Sequence, residues 1–179
     1  MKNLKHLVLA TFVCSLFFIS SCDKAKIDVD FDLELTKINF VIDTTSASGS
    51  ISFANTSFTS DLEAKLKEHN ASLSDVQSII LTGATMTMIN PAGQNFDIVD
   101  KAYAFFSAPG LTETRIAYKE IVPKSVSQIS LDADQADLKE YLKKPVVSFR
   151  ASGVTNGPNV QPDSIHVDIT FKIRASVKP

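Results

Sequence analysis

Between residues 28 and 35 apolar and acidic residues alternate one for one, with Val29, Phe31, Leu33 and Leu35 set against Asp28, Asp30, Asp32 and Glu34. A period of two puts successive side chains on opposite faces of a strand, so this stretch predicts a strand with one buried and one wet face. The C-terminal segment has the same rhythm: Ile165, Val167, Ile169, Phe171 and Ile173 point inward, and His166, Asp168, Thr170, Lys172 and Arg174 point outward.

Between these two segments the pattern changes repeatedly. The turn-forming "DTTSASG" leads to a strand around Ile51 and Phe53. Ser60 and Glu63 have the spacing of a capping box, predicting a helix to about Asn70 that buries Leu62 and Leu66. In "VQSIILTGATMTMIN" the apolar parity switches across Gly83, which predicts a bulge there, and Met86 and Met88 read as core filling. Two strands follow, joined around Pro109-Gly110, and the first is so continuously apolar that it belongs in the middle of a sheet. Its aromatic residues Tyr103, Phe105 and Phe106, with Tyr118, are assigned to the core; a sugar-stacking platform is the alternative, weakened by the absence of tryptophan. A second helix is expected from near Asp134, with Asp137 in its first turn and Leu138, Tyr141 and Leu142 inward, ending before Pro145. Strand resumes at "VVSFRASG". Seven or eight strands with two short helices make the chain mainly β. The expected fold is an antiparallel β-sandwich, immunoglobulin-like in its nearest template, with the helices peripheral; a curved sheet around a cavity is the architectural alternative.

The first residues add an address. Lys2 and Lys5 precede an apolar run over residues 7–19 that is too short to cross a bilayer and has the layout of a secretory signal. The junction Ile19-Ser20-Ser21-Cys22 resembles the lipobox of bacterial lipoproteins. That resemblance implies a signal peptide over 1–21, acylation of Cys22, a short linker over 22–27 and a single domain over 28–179. Two or three acyl chains at one cysteine, each adding about 0.8 kcal/mol per buried methylene, would make the tether permanent. In layout the whole mature chain is similar to small β-rich lipoproteins of Gram-negative cell envelopes, and from them no functional residue carries over. Asp23 resembles an inner-membrane retention signal under the enteric rule, which other Gram-negative groups do not follow, and the outer membrane is the expected location.

Losing the leader changes the composition. Cys14 departs and Cys22 is consumed by lipid, so no thiol is left for a disulfide, a CxxC metal site or a nucleophile. The 18 basic and 20 acidic residues become 16 and 20, moving the formal charge from −2 to −4. A mildly acidic chain without a basic cluster is a poor partner for nucleic acid.

Candidate chemistry is sparse. Asp28, Asp30 and Asp32, with Glu34, could contribute oxygens to a calcium site. Residues two apart on a strand lie about 6.5 Å apart and point in parallel, so a solvated face that discourages edge pairing is the favoured reading. Asp132, Asp134 and Asp137 read as helix-start residues favoured by the dipole. His69 and His166 are isolated and give no zinc spacing. No GxSxG elbow, P-loop, dinucleotide fingerprint or HExxH is present, and no cofactor is expected. Asp43-Thr44-Thr45 and Asp163-Ser164-Ile165 resemble an O-glycosylation sequon of some Gram-negative envelope proteins, which makes Thr44 and Ser164 candidate acceptors. The expected function is a non-catalytic binding or assembly module held at a membrane, with an envelope protein or a glycan as partner. A carrier of apolar ligands is the first alternative, and an envelope hydrolase whose carboxylate pair the sequence does not reveal is the second.

Overall fold

A computed structural model describes residues 26–52 and 56–178. The signal segment, Cys22 and Phe53 lie outside the described residues. Among the described residues ten strands form in chain order: β1 (Ile27–Ile42), β2 (Gly49–Ser52), β3 (Thr56–Phe58), β4 (Val76–Asn90), β5 (Val99–Ala108), β6 (Leu111–Lys119), β7 (Gln128–Ser130), β8 (Asp132–Ala133), β9 (Val147–Thr155) and β10 (Asp163–Val177). The smaller sheet has the order β1-β10-β4-β7, and the larger has β2-β9-β5-β6-β8, with β3 also pairing with β9. The chain is therefore the antiparallel β-sandwich that the alternation predicts.

The order of pairing refines that expectation. β1 pairs with β10, β2 and β3 with β9, β4 with β7, and β5 with β6, a nested set like one long hairpin. Rolling that hairpin brings β10 beside β4 and β9 beside β5, which closes the two sheets. This is jelly-roll topology. An immunoglobulin sandwich instead pairs its first strand with its second and its last with its sixth.

Side-chain parity places the core. All five inward residues of β10, from Ile165 to Ile173, are buried. In β1 a register shift between Leu35 and Ile38 switches parity, so that Phe31 and Leu33 are buried before it and Phe40 and Ile42 after it. The expected bulge in β4 is present at Gly83, where the register with Thr170 and Phe171 shifts, and Met86 and Met88 are buried. Phe106 fills the layer between the sheets, its ring centroid 5.8 Å from those of both Phe149 and Phe171, and Phe40 lies 5.2 Å from Phe149.

Both helices start differently from expectation. α1 (Leu62–Glu68) buries Leu62 and Leu66, but its N-cap is Asp61, so Glu63 falls one position short of the N3 site a capping box needs. Ser60 Oγ instead accepts from the Leu62 amide at 3.1 Å. The reciprocal box sits ahead of β4, where the Ser72 amide donates to Asp75 Oδ2 at 2.9 Å and the Ser72 side chain accepts from the Asp75 backbone. The second helix, α2 (Lys139–Leu142), is a single turn that buries Leu138 at its cap and Leu142, and leaves Tyr141 half-buried. Asp132 and Asp134 are not helix-start residues: Asp132 belongs to β8, and the Asp134 amide extends the pairing by donating to the Ile116 carbonyl at 2.8 Å. Asp137 serves the helix start and also the sheet, because its Oδ1 accepts from the amides of both Lys139 and Ile79 at 3.0 Å.

The two ends of the roll differ. Connections β1–β2, β4–β5, β6–β7 and β9–β10 gather at one end, tied by backbone bonds such as Thr45 to Asn159 and Phe96 to Val126, both at 2.9 Å. There the Lys124 ammonium donates to the carbonyls of Asp97 and Val99 and to Asp100 Oδ1, so three polar acceptors share one cation. The opposite end carries α1 and α2, the start of β1 and the end of β10.

Candidate recognition face

The aromatic residues divide between the two sides of the larger sheet. In β5 the inward parity is Ala102, Ala104, Phe106 and Ala108, all buried, and the outward parity is Lys101, Tyr103, Phe105 and Ser107, all half-buried. Tyr103 and Phe105 are therefore not core residues, and neither is Tyr118, which stands directly opposite Tyr103 on β6. The inward side takes small alanines because the Phe106–Phe149–Phe171 cluster already fills the layer between the sheets.

Two arginines organise this outer face. Phe105 lies between Arg150 on β9 and Arg115 on β6 in the strand register. The Arg150 guanidinium sits 4.1 Å from the Phe105 ring centroid, and that of Arg115 sits 4.4 Å from the Tyr118 centroid. Cation–π contact of this kind contributes about 0.5–1 kcal/mol at exposed sites. Each guanidinium also engages a carboxylate with two donors: Arg150 donates to Glu113 at 2.8 and 2.6 Å, and Arg115 to Asp134 at 2.7 and 3.3 Å. The Arg150 bond holds the Glu113 carboxyl below its ordinary value, while Glu113 and Asp134 raise Arg150 and Arg115 respectively. At the edge of the patch Lys101 donates to Glu120 at 2.9 Å and Tyr103 donates its hydroxyl proton to the same oxygen at 3.4 Å. Lys119 pairs with Asp132.

Every cation on this face is matched by a carboxylate, so the patch carries no net charge. A shallow depression of about 490 Å³ lies over Tyr103, Phe105, Thr114, Arg115, Glu120 and Asp134. Stacking and two-point hydrogen bonding fix the side chains before any partner arrives, which reduces the entropy cost of binding. Each guanidinium also retains N–H donors not spent on its carboxylate.

The other candidates are dispersed. Asp30 is drawn into a two-point pair with Arg174 at 3.0 and 3.1 Å, and that bond holds its carboxyl low. Asp28, Asp32 and Glu34 stay exposed on the same face of β1, as expected of a solvated strand. Among the described residues no group of three or more His, Cys, Asp or Glu could hold a metal ion. His69 stacks on Phe31, with centroids 4.1 Å apart and planes at 12°, and His166 lies 3.7 Å from Asp168. Thr44 is exposed in the β1–β2 loop beside Thr45, whose hydroxyl accepts from the Asn159 amide at 3.0 Å. Ser164 sits within β10, with β1 on one side and β4 on the other, so it is not on a free loop.

Sequence reading missed Arg115, Arg150, Glu113 and Asp134 as a group, because their strands meet only through the roll. A signal was present in β5 itself: Ala102, Ala104 and Ala108 share one parity, which marks that side as the crowded one.

No family model matches the chain, and no curated protein matches it. Among solved structures it is similar to that of Desmodium yellow mottle tymovirus, at 9% identity and a TM-score of 0.29, covering 90% of this chain and 94% of that one. It is also similar to the cryo-EM structure of Mud crab tombus-like virus, at 6% identity and a TM-score of 0.31, covering 94% and 99%. At such scores the likeness carries no argument about this chain.

Proposed function

We propose that the protein is a non-catalytic module, tethered to a cell-envelope membrane through acylated Cys22, that docks a protein partner on the outer face of β5, β6 and β9. The outward aromatic pair Tyr103 and Phe105, with Tyr118 opposite, carries the reading. Large rings aimed away from a filled core are informative in a way that scattered surface leucines are not. Tyrosine and arginine are the side chains on which binding energy concentrates at protein interfaces, and lysine and glutamate at the edge resemble a polar rim. Guanidinium groups already cover Phe105 and Tyr118, which suits a protein surface better than a sugar ring needing bare aromatic faces. The outer membrane remains the proposed location, and Thr44 is the better placed of the two glycosylation candidates.

The test uses a photo-crosslinking amino acid in place of Tyr103 and, as control, in place of Lys172 on the outer face of the smaller sheet. A discrete crosslinked product from position 103 alone, lost when Arg115→Ala and Arg150→Ala are added, is expected. Equal products from both positions, or none from 103, would overturn the reading.

A further inference from the structure

We infer that the helical end of the roll rests on anionic phospholipid headgroups, an inference that depends on the tether at Cys22 proposed above. Only five peptide steps separate Cys22 from Ile27, a reach of at most about 18 Å even fully extended. Ile27 pairs with Val177, so β1 begins and β10 ends at the helical end, and a lipid on Cys22 holds that end close to the bilayer.

The end so presented has suitable chemistry. A cleft of about 530 Å³ opens between α1 and α2, and Lys67, Lys143 and Lys144 converge on it beside Asp61 and Glu63. None of these three lysines has an ion-pair partner among the described residues. The Asp75 carboxyl is held low first by Ser72, with further contributions from Lys26 and Lys178, which puts two more ammonium groups at this end. The loops at the far end contain one lysine, Lys124, against Asp43, Asp97 and Glu120. A lysine near an anionic membrane surface is drawn to it, and the attraction falls off within a Debye length. Phosphate on the lipid headgroup is thus the group these lysines meet, and the acidic loops point away. The strands then run away from the bilayer, and the aromatic face looks sideways along it, towards a partner standing on the same membrane.

The experiment uses the full-length lipidated chain with Ala64→Cys on α1 or Ala47→Cys in the β1–β2 loop, each labelled with a fluorophore. Each is placed in phosphatidylethanolamine–phosphatidylglycerol vesicles carrying a headgroup-attached quencher. Quenching is expected at position 64 and not at 47. It should fall towards the position-47 level in phosphatidylcholine vesicles, at high salt, or when Lys67→Gln, Lys143→Gln and Lys144→Gln are combined; free inorganic phosphate at low millimolar concentration should leave it unchanged. Protein that fails to sediment with the vesicles would sink the tether and this inference together. Protein that sediments but is quenched equally at 64 and 47, or whose quenching ignores lipid charge and the lysine changes, would sink this inference alone.

Discussion

β10 and β5 are both central strands, and they use the two faces of a sheet in opposite ways. β10 puts every large apolar residue inward, from Ile165 to Ile173, and leaves His166, Asp168, Thr170, Lys172 and Arg174 outside. β5 puts three alanines and one phenylalanine inward, and turns Tyr103 and Phe105 outward, Phe105 beneath the Arg150 guanidinium. In the first strand side-chain volume goes into the core, and in the second much of it goes to the surface. A residue's size therefore reports its cost of loss only after its face is known.

Phe171→Ala should show the largest effect. It removes a fully buried ring 5.8 Å from Phe106 and is expected to cost about 3–5 kcal/mol in denaturant unfolding. A much smaller loss, with saturable binding of a lipid analogue, would replace the packed core with a carrier cavity. Next is Asp137→Ala, which takes the acceptor from the Ile79 amide on β4 and from the start of α2; about 1–3 kcal/mol is expected, with Asp137→Asn milder. Phe105→Ala, on the opposite face of β5 from Phe106, should cost only about 0.5–1.5 kcal/mol, the range of a cross-strand pair with a cation–π contact. A loss as large as that of Phe171→Ala would erase the distinction between the two strands.

A smaller, pH-dependent effect is expected at the loop end. Asp163 is buried, and desolvation raises its carboxyl above the ordinary value of 3.8, opposed by hydrogen bonds from Gln94 and Asn159. The folded state thus holds this proton more tightly than the unfolded chain does. The contribution to stability is present below pH 3.8 and is lost as pH rises through the folded value. Asp163→Asn cannot lose a proton, so its melting temperature relative to the parent should become more favourable from pH 3.5 to pH 7. A constant difference across that range would remove Asp163 from the account. The smallest expected change is none: Asp30→Asn with Asp32→Asn should leave thermal stability nearly unaltered, and added calcium should not shift it. A calcium-dependent rise in melting temperature would restore a metal site on β1.

The same comparison explains what the sequence made legible. β1, β10 and the Gly83 bulge were readable because apolar and polar residues occupy opposite parities, so the period of two is visible. In "AYAFFSA" both parities are apolar, and hydrophobicity alone does not distinguish the inside from the outside. The strand order was hidden for a different reason: jelly-roll and immunoglobulin sandwiches share alternation and turn spacing, and differ in which distant strands meet. The Arg115–Asp134 and Arg150–Glu113 pairs depend on those meetings, so no local window contains the site. Asp134 shows how a local rule can mislead, because an acidic residue before "LKEYL" reads as a helix start until β6 provides an arginine for it.

The most direct measurement separates stability from recognition in one variant. Phe105→Ala combined with Tyr118→Ala should be examined by denaturant unfolding and, with the photo-crosslinker at position 103, for its crosslinked product. A stability loss of no more than about 2–3 kcal/mol, the sum of two surface-pair losses, is predicted together with disappearance of the product. A larger loss with the product retained would contradict the account, making these rings structural and placing recognition elsewhere.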